Sequence, residues 1–184
     1  MSAESAPPDE LVPAATHEAV MAAAEKLSTL TTARDARDPV NQPTINDWLE
    51  AMGFDNPRFH AGEAPPTMAQ VWTMYGLGGK RSDDDPLHLM MNVLTDLGFT
   101  GVLGTNSEQT YDRYLRVGEQ VRIELGLESV VGPKSTAMGV GYFVTSESSW
   151  FVGDERVATM LFRVFKFIPR SSAVAVPPKG ASKP

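Results

Sequence analysis

An α+β layer fold is what the hydrophobic patterning of this chain predicts, and three observations carry that reading. Apolar residues recur at helical spacing through the first half, up to about Leu97. From Thr100 onward the period changes to two. The helices are therefore segregated from the strands along the chain, which implies an antiparallel sheet with helices packed on it. Hydrophobic residues make up 42% of the 184 positions, enough for one ordinary core and not for two.

The opening segment over 1–15, which begins MSAESAPPDELVP, is acidic, Pro-rich and without periodic apolar positions. It reads as a disordered arm and as neither a secretory signal nor a transit peptide. A first helix over 17–30 places Val20, Ala24 and Leu27 on one side. A second over 43–52 carries Ile45, Trp48, Leu49 and Met52 at i, i+3, i+4, i+7. Pro43 suits a first turn, where a missing N–H costs nothing, and Gly53 suits a left-handed stop. A third helix is predicted from Pro65-Pro66 to about Gly76, with Met68, Val71, Trp72 and Tyr75 on one stripe. Ala69, Met74 and Leu77 fill much of its remaining surface, and a helix apolar nearly all round is expected to be buried. Ser82-Asp83-Asp84-Asp85 then precede a fourth helix over 86–97, their carboxylates complementing the positive end of its dipole.

Among the strands, Val121, Ile123, Leu125 and Leu127 alternate with Arg122, Glu124, Gly126 and Glu128, the pattern of a half-buried strand. Gly132-Pro133 reads as a turn, 134–152 as a long strand, and Gly153-Asp154 as the turn into a last strand over 156–168. Gly139 and Gly141 suggest a bend or a close backbone approach. No first strand is evident, because 33–40 reads as a poor one. The folded domain is expected over 16–168, followed over 169–184 by a Pro/Ser/Ala-rich linker or tail.

Composition excludes several functions. The net charge of −7, without a Lys/Arg block, argues against nucleic acid as a partner. No run reaches the ~18 apolar residues of a membrane span. With no cysteine there is no disulfide framework, thiolate metal site or cysteine nucleophile, and no metal is expected. The expected location is the cytoplasm.

His17 and His88 read as solvated surface residues, whereas His60 lies in a loop beside the apolar helix, where sites tend to be. Around it, Trp48-Leu49-Glu50-Ala51-Met52-Gly53-Phe54-Asp55-Asn56-Pro57 and then Ala64-Pro65-Pro66-Thr67-Met68 resemble the MaoC-like enoyl-CoA hydratases. Glu108-Gln109-Thr110-Tyr111 and Arg116-Val117-Gly118-Glu119 extend the resemblance, which spans about 38–168. It implies a hot-dog fold, a long curved antiparallel sheet wrapped around a central apolar helix. Arg37-Asp38-Pro39-Val40-Asn41-Gln42-Pro43, Val71-Trp72-Thr73-Met74-Tyr75-Gly76-Leu77-Gly78-Gly79 and Asp84-Asp85-Pro86-Leu87 narrow it. They are similar to the MaoC-like domain of the larger, non-catalytic subunits of heteromeric hydratases in actinobacterial steroid side-chain (cholesterol) degradation. The implied reaction is hydration of a steroid acyl-CoA of the 3-oxo-pregnadiene-carboxyl-CoA type. The implied partner is a smaller hot-dog subunit carrying an Asp/His dyad. Coenzyme A would be part of the substrate, and no separate cofactor is expected. In the larger subunits a following OB-like domain, taken to be absent here, docks an aldolase.

Hydration of a 2-enoyl thioester needs a base to activate water and an acid to protonate Cα. In the family motif Asp follows Gly, and His lies five positions later. If Asn56-Pro57 sets the register, Phe54 and Phe59 occupy those positions and no catalytic residue is expected in this chain. A slip of one residue makes Asp55 and His60 the fallback pair. The shortened loop Ala61-Gly62-Glu63 implies a wider acyl tunnel, unless it was trimmed without functional meaning. Two alternatives stay open, a self-sufficient homodimeric hydratase using Asp55 and His60, and an acyl-CoA-binding or scaffolding module without catalytic role.

Nine methionines are many for this length, and methionine adapts to irregular apolar space. Met68, Trp72, Met74, Tyr75, Met90 and Met91 are therefore candidates to line a steroid-sized cavity, with ordinary core packing as the other reading. Lys80, Arg81, Arg113, Arg116, Arg122 and Lys134 are candidates for the coenzyme A phosphates, unless they only form a solvated charged face.

Overall fold

Alternation in the second half of the chain builds the long strands on which everything else packs. The computed structural model describes residues 12–170. In chain order the elements are α1 (Ala14–Ser28), β1 (Thr31–Asp35), α2 (Gln42–Met52), α3 (Pro57–His60), β2 (Glu63–Ala64), a 3-10 turn (Pro66–Met68) and α4 (Ala69–Trp72). There follow α5 (Pro86–Asp96), β3 (Gly101–Tyr111), β4 (Leu115–Arg116), β5 (Val121–Ser135), β6 (Gly139–Val152) and β7 (Glu155–Pro169). Five strands form one antiparallel sheet in the order β1-β5-β6-β7-β3, and β2 pairs with β4.

The helices cover the two ends of one sheet face. At one end Ile45 and Leu49 of α2, with Met68, Ala69 and Trp72 of the short turns, pack on Ile123, Trp150 and Ala158. At the other, Val20, Ala24 and Leu27 of α1 join Met90 and Leu94 of α5 over Leu127, Tyr142, Val144 and Val164. Helix ends are set by local chemistry. Asn41 Oδ1 accepts from Thr44 N at 3.0 Å, and Gly53 closes α2 at φ +66°. Asp85 caps α5 by accepting from His88 N at 3.2 Å.

Several expectations need correction. The third helix is not continuous to Gly76. A 3-10 turn and one turn of α-helix end at Trp72. Thr73 turns its hydroxyl to Trp150, whose Nε1 donates to Thr73 Oγ1 at 2.9 Å. The following Gly76, Gly78 and Gly79 disfavour helix. Met74 and Leu77 are exposed as a result.

Gly132-Pro133 is not a turn. It is a cis peptide inside β5, at an irregularity of register between Val131 and Lys134, and the chain reverses only at 136–138. The close approach at Gly139 and Gly141 is real, since a Cβ there would lie 2.0 Å from the carbonyl oxygens of Ile168 and Lys166 respectively. The unplaced first strand is β1, paired with β5 from Thr31↔Gly126 to Asp35↔Arg122. Its exposed-edge pattern carries little apolar signal.

The packed domain begins before residue 16, because Val12 is buried in the second cluster and α1 starts at Ala14. Residues 1–11 of the predicted arm and 171–184 of the predicted tail lie outside the described residues. His17 is not merely solvated, since its Nδ1 lies 3.0 Å from the hydroxyl of buried Tyr142.

The Trp150–Thr73 bond is buried, so Thr73→Val leaves an indole N–H without a partner. The expected loss is about 1–3 kcal/mol of unfolding free energy, measured by urea denaturation. An unchanged midpoint would show that the bond does not pin α4 to the sheet.

Candidate functional site: a polar-floored cavity on the sheet

Between the two apolar clusters the sheet face stays open and lines a cavity of about 440 Å³. Strand register sets its floor. One row runs Leu125, Ser148, Met160, Gln109, and the next runs Ser146, Phe162, Ser107. Ser146 and Ser148 are each only 6% exposed. Ser146 Oγ donates to Phe162 O at a long 3.4 Å, and Ser148 has no side-chain partner among the described residues. Gln109 donates to Ser107 Oγ at 3.1 Å and accepts from the Tyr111 hydroxyl. Buried hydroxyls without good partners are costly in an apolar setting, so this floor suits a ligand carrying polar groups or ordered water.

The walls come from Ile123 and Trp150 at one end of the floor, and the connection 73–85 roofs it with Met74, Tyr75 and Arg81. Arg34 of β1 closes the side opposite β3, its guanidinium 4.0 Å above the Tyr75 ring. Asp85 and Glu147 also lie along the lining.

The structure separates the residues singled out from sequence. Of the six candidate lining residues only Met74 and Tyr75 reach the cavity. Met68, Trp72 and Met90 are buried in the two clusters, and Met91 packs on the second from its partly exposed position. They fail to line the cavity because the third helix stops at Trp72 and α5 sits over the far end of the sheet.

Among the basic candidates Arg81 lines the cavity, while Lys80 and Lys134 are exposed away from its lining. Arg116 is exposed and lies 3.9 Å from Glu63. Arg122 pairs with Glu124 at 2.6 Å and covers the Phe151 ring. Arg113 is engaged in the fold, donating to Glu155 at 2.9 Å and to Glu119 at 3.0 Å.

Asp55 and His60 do meet, with His60 Nε2 3.0 Å from Asp55 Oδ1. Their side chains are 94% and 54% exposed, and neither lines the cavity. Asn56 caps α3 by accepting from Arg58 N, with Pro57 in its first turn. Phe59 turns inward against Tyr114 and the first cluster, while Phe54 is half exposed.

Arg34, Ser107, Gln109, Ser146 and Ser148 were missed as site residues. A usable signal existed for the serines. They hold inward parity in β6 between Val144 and Trp150, where an ordinary core strand would carry apolar residues.

Residues 27–160 match the family described as FAS1-like, dehydratase domain region. The chain is 52% identical over 155 residues to the 3-oxo-4,17-pregnadiene-20-carboxyl-CoA hydratase alpha subunit of Mycobacterium tuberculosis, covering 78% of this chain and 50% of that protein. It is 32% identical over 161 residues to a probable enoyl-CoA hydratase alpha subunit of Thermomonospora curvata, with the same two coverages. A chain in the crystal structure of the ChsH1-ChsH2 complex from Mycobacterium tuberculosis aligns with a TM-score of 0.80 and 46% identity, over 89% of this chain and 99% of that one. The chain thus belongs to the FAS1-like dehydratase-domain family, the MaoC-like hot-dog hydratases. It spans half the length of these curated relatives.

Arg113 offers a test of which cations are structural. Its hydrogen bonds hold the Glu155 carboxyl below the ordinary carboxylate range and keep its own guanidinium firmly protonated. A carboxyl with a depressed folded-state pKa contributes stability that is present above its unfolded value and lost as pH falls through the folded one. Arg113→Ala is therefore expected to lower the urea midpoint at neutral pH and to lower it less in acid. A pH-independent effect would contradict this.

Proposed function

We propose that this chain is the pocket-forming, non-catalytic subunit of a heteromeric enoyl-CoA hydratase acting on a steroid acyl-CoA with a shortened side chain. The observation that carries the reading is the open cavity without an acid–base pair in it. Among the described residues no histidine lines it. Of the lining carboxylates, Asp85 accepts the capping bond from His88 N, and Glu147 accepts from Ser149 Oγ at 3.0 Å. The named activities of the Mycobacterium and Thermomonospora relatives support the reaction, and the first of those names supports the substrate.

In this reading water adds across the α,β double bond, its hydroxyl going to Cβ and a proton to Cα. The Asp and His that activate the water and deliver the proton belong to a smaller hot-dog partner. This chain holds the acyl group. The partner joins at β3, an eleven-residue edge strand whose Val102 and Leu103 are 58% and 45% exposed. A long edge strand left open is an aggregation risk, and pairing it removes that risk.

The Asp55–His60 hydrogen bond favours one second reading, a self-sufficient hydratase. The two separate in one experiment. Purified alone, the chain is expected to hydrate no enoyl-CoA. Mixed with a hot-dog chain carrying an Asp/His pair, it is expected to support hydration, with Asp55→Ala and His60→Ala leaving the rate within about twofold. Activity of the isolated chain that disappears in both variants would replace the proposal with the second reading. Partner activity independent of this chain would leave only a scaffold. Leu103→Asp on the edge strand is expected to weaken assembly at least tenfold, by sedimentation or gel filtration.

A further inference from the structure

The cavity crosses the whole sheet. Ser107 and Gln109 lie on β3 at one edge, and Arg34 lies on β1 at the other. Four strand spacings separate these edges, about 19 Å in all. If the thioester enters beside β3, where the partner is proposed to join, the end of the acyl group remote from the thioester points toward Arg34.

Arg34 is an unusual occupant of such a position. It takes part in none of the ion pairs among the described residues. Its Nε is buried and has no hydrogen-bond partner among the described residues. The Tyr75 ring lies beneath the guanidinium and orients it, and Tyr75 is itself held through its hydroxyl, which accepts from Ser82 N at 3.4 Å. Stacking of this kind fixes the plane of the guanidinium and leaves its donors directed along that plane. Asp85 and Arg81 share the lining, but neither is paired with it. A partly dehydrated cation with an unused donor is stabilised by an acceptor that the fold does not supply.

We infer that Arg34 is a specificity-determining residue that donates hydrogen bonds to a carbonyl oxygen at the remote end of the acyl group. This rests on the proposed role of the cavity as the acyl pocket. A neutral ketone fits better than a coenzyme A phosphate, because in that reading the nucleotide stays at the β3 end. The approach to Arg34 passes between Ile123, Leu125 and Trp150.

The test uses the complex with its partner and two steroid enoyl-CoA thioesters, one with a ring ketone at the remote end and one with a methylene there. The wild-type complex is expected to prefer the ketone in kcat/KM by roughly tenfold to a hundredfold, the value of one charge-assisted hydrogen bond. In Arg34→Met the preference should fall toward unity, mainly through KM. No preference in the wild type, or the same preference in the variant, overturns the inference and leaves the hydratase reading intact. Calorimetric binding of both thioesters separates the two claims. Arg34-dependent preference in binding without turnover supports this inference and defeats the hydratase reading, whereas absence of binding defeats both. Should Arg34→Met fail to assemble, Tyr75→Leu removes the ring that orients the guanidinium. A reduced preference then supports the inference, and an unchanged one overturns it.

Discussion

Covering a hydroxyl with an apolar helix costs roughly 1–3 kcal/mol when no partner replaces water, and this chain sets polar side chains in register across the middle of its sheet. Ser148 and Gln109 lie in one row and Ser146 and Ser107 in the next. The apolar helical surfaces settle to either side, α2 and α4 over Ile123 and Trp150, α1 and α5 over Leu127 and Val144. The cavity is the space between them. Its position follows from strand register, because a slip of one residue in β6 would turn both serines to the opposite face.

The same division explains why the catalytic motif region and the cavity part company. Asn56 and Pro57 start α3, which sends Phe59 inward and leaves Asp55 and His60 facing outward together. A hydrogen-bonded Asp/His pair resembles a dyad in isolation. General acid–base chemistry also requires the reacting atoms to be within reach, and the acyl-sized space lies elsewhere on the sheet. In the proposed assembly this chain shapes the pocket and the partner carries out proton transfer.

Particular elements show what was readable. The stripe of Ile45 and Leu49, Pro43 in the first turn and the left-handed Gly53 make α2 legible, since all are local signals. Alternation made β5 legible, and the Gly153-Asp154 turn marked the hairpin between β6 and β7. The third helix misled because its stripe of Met68, Val71, Trp72 and Tyr75 is equally compatible with one short turn. The hydrogen bond that ends it joins Thr73 to a residue 77 positions away. Met90 looked like a pocket residue for a related reason. Methionine serves core and cavity alike, and only the seat of α5 above Leu127 and Val144 decides between them.

By itself the amino-acid sequence determined the α+β class, the period-two strands, the first turn and the glycine stop of α2 and, through extended motifs, the family. These depend on nearest neighbours in the chain and on spacings of three, four or two residues. Only the tertiary structure decided where the empty space lies and which side chains face it. Arg34, Tyr75, Gln109 and Ser148 lie far apart in the sequence, between positions 34 and 148, and meet through antiparallel pairing and the roofing loop. A cavity is what remains after distant elements have packed, so no local pattern encodes it.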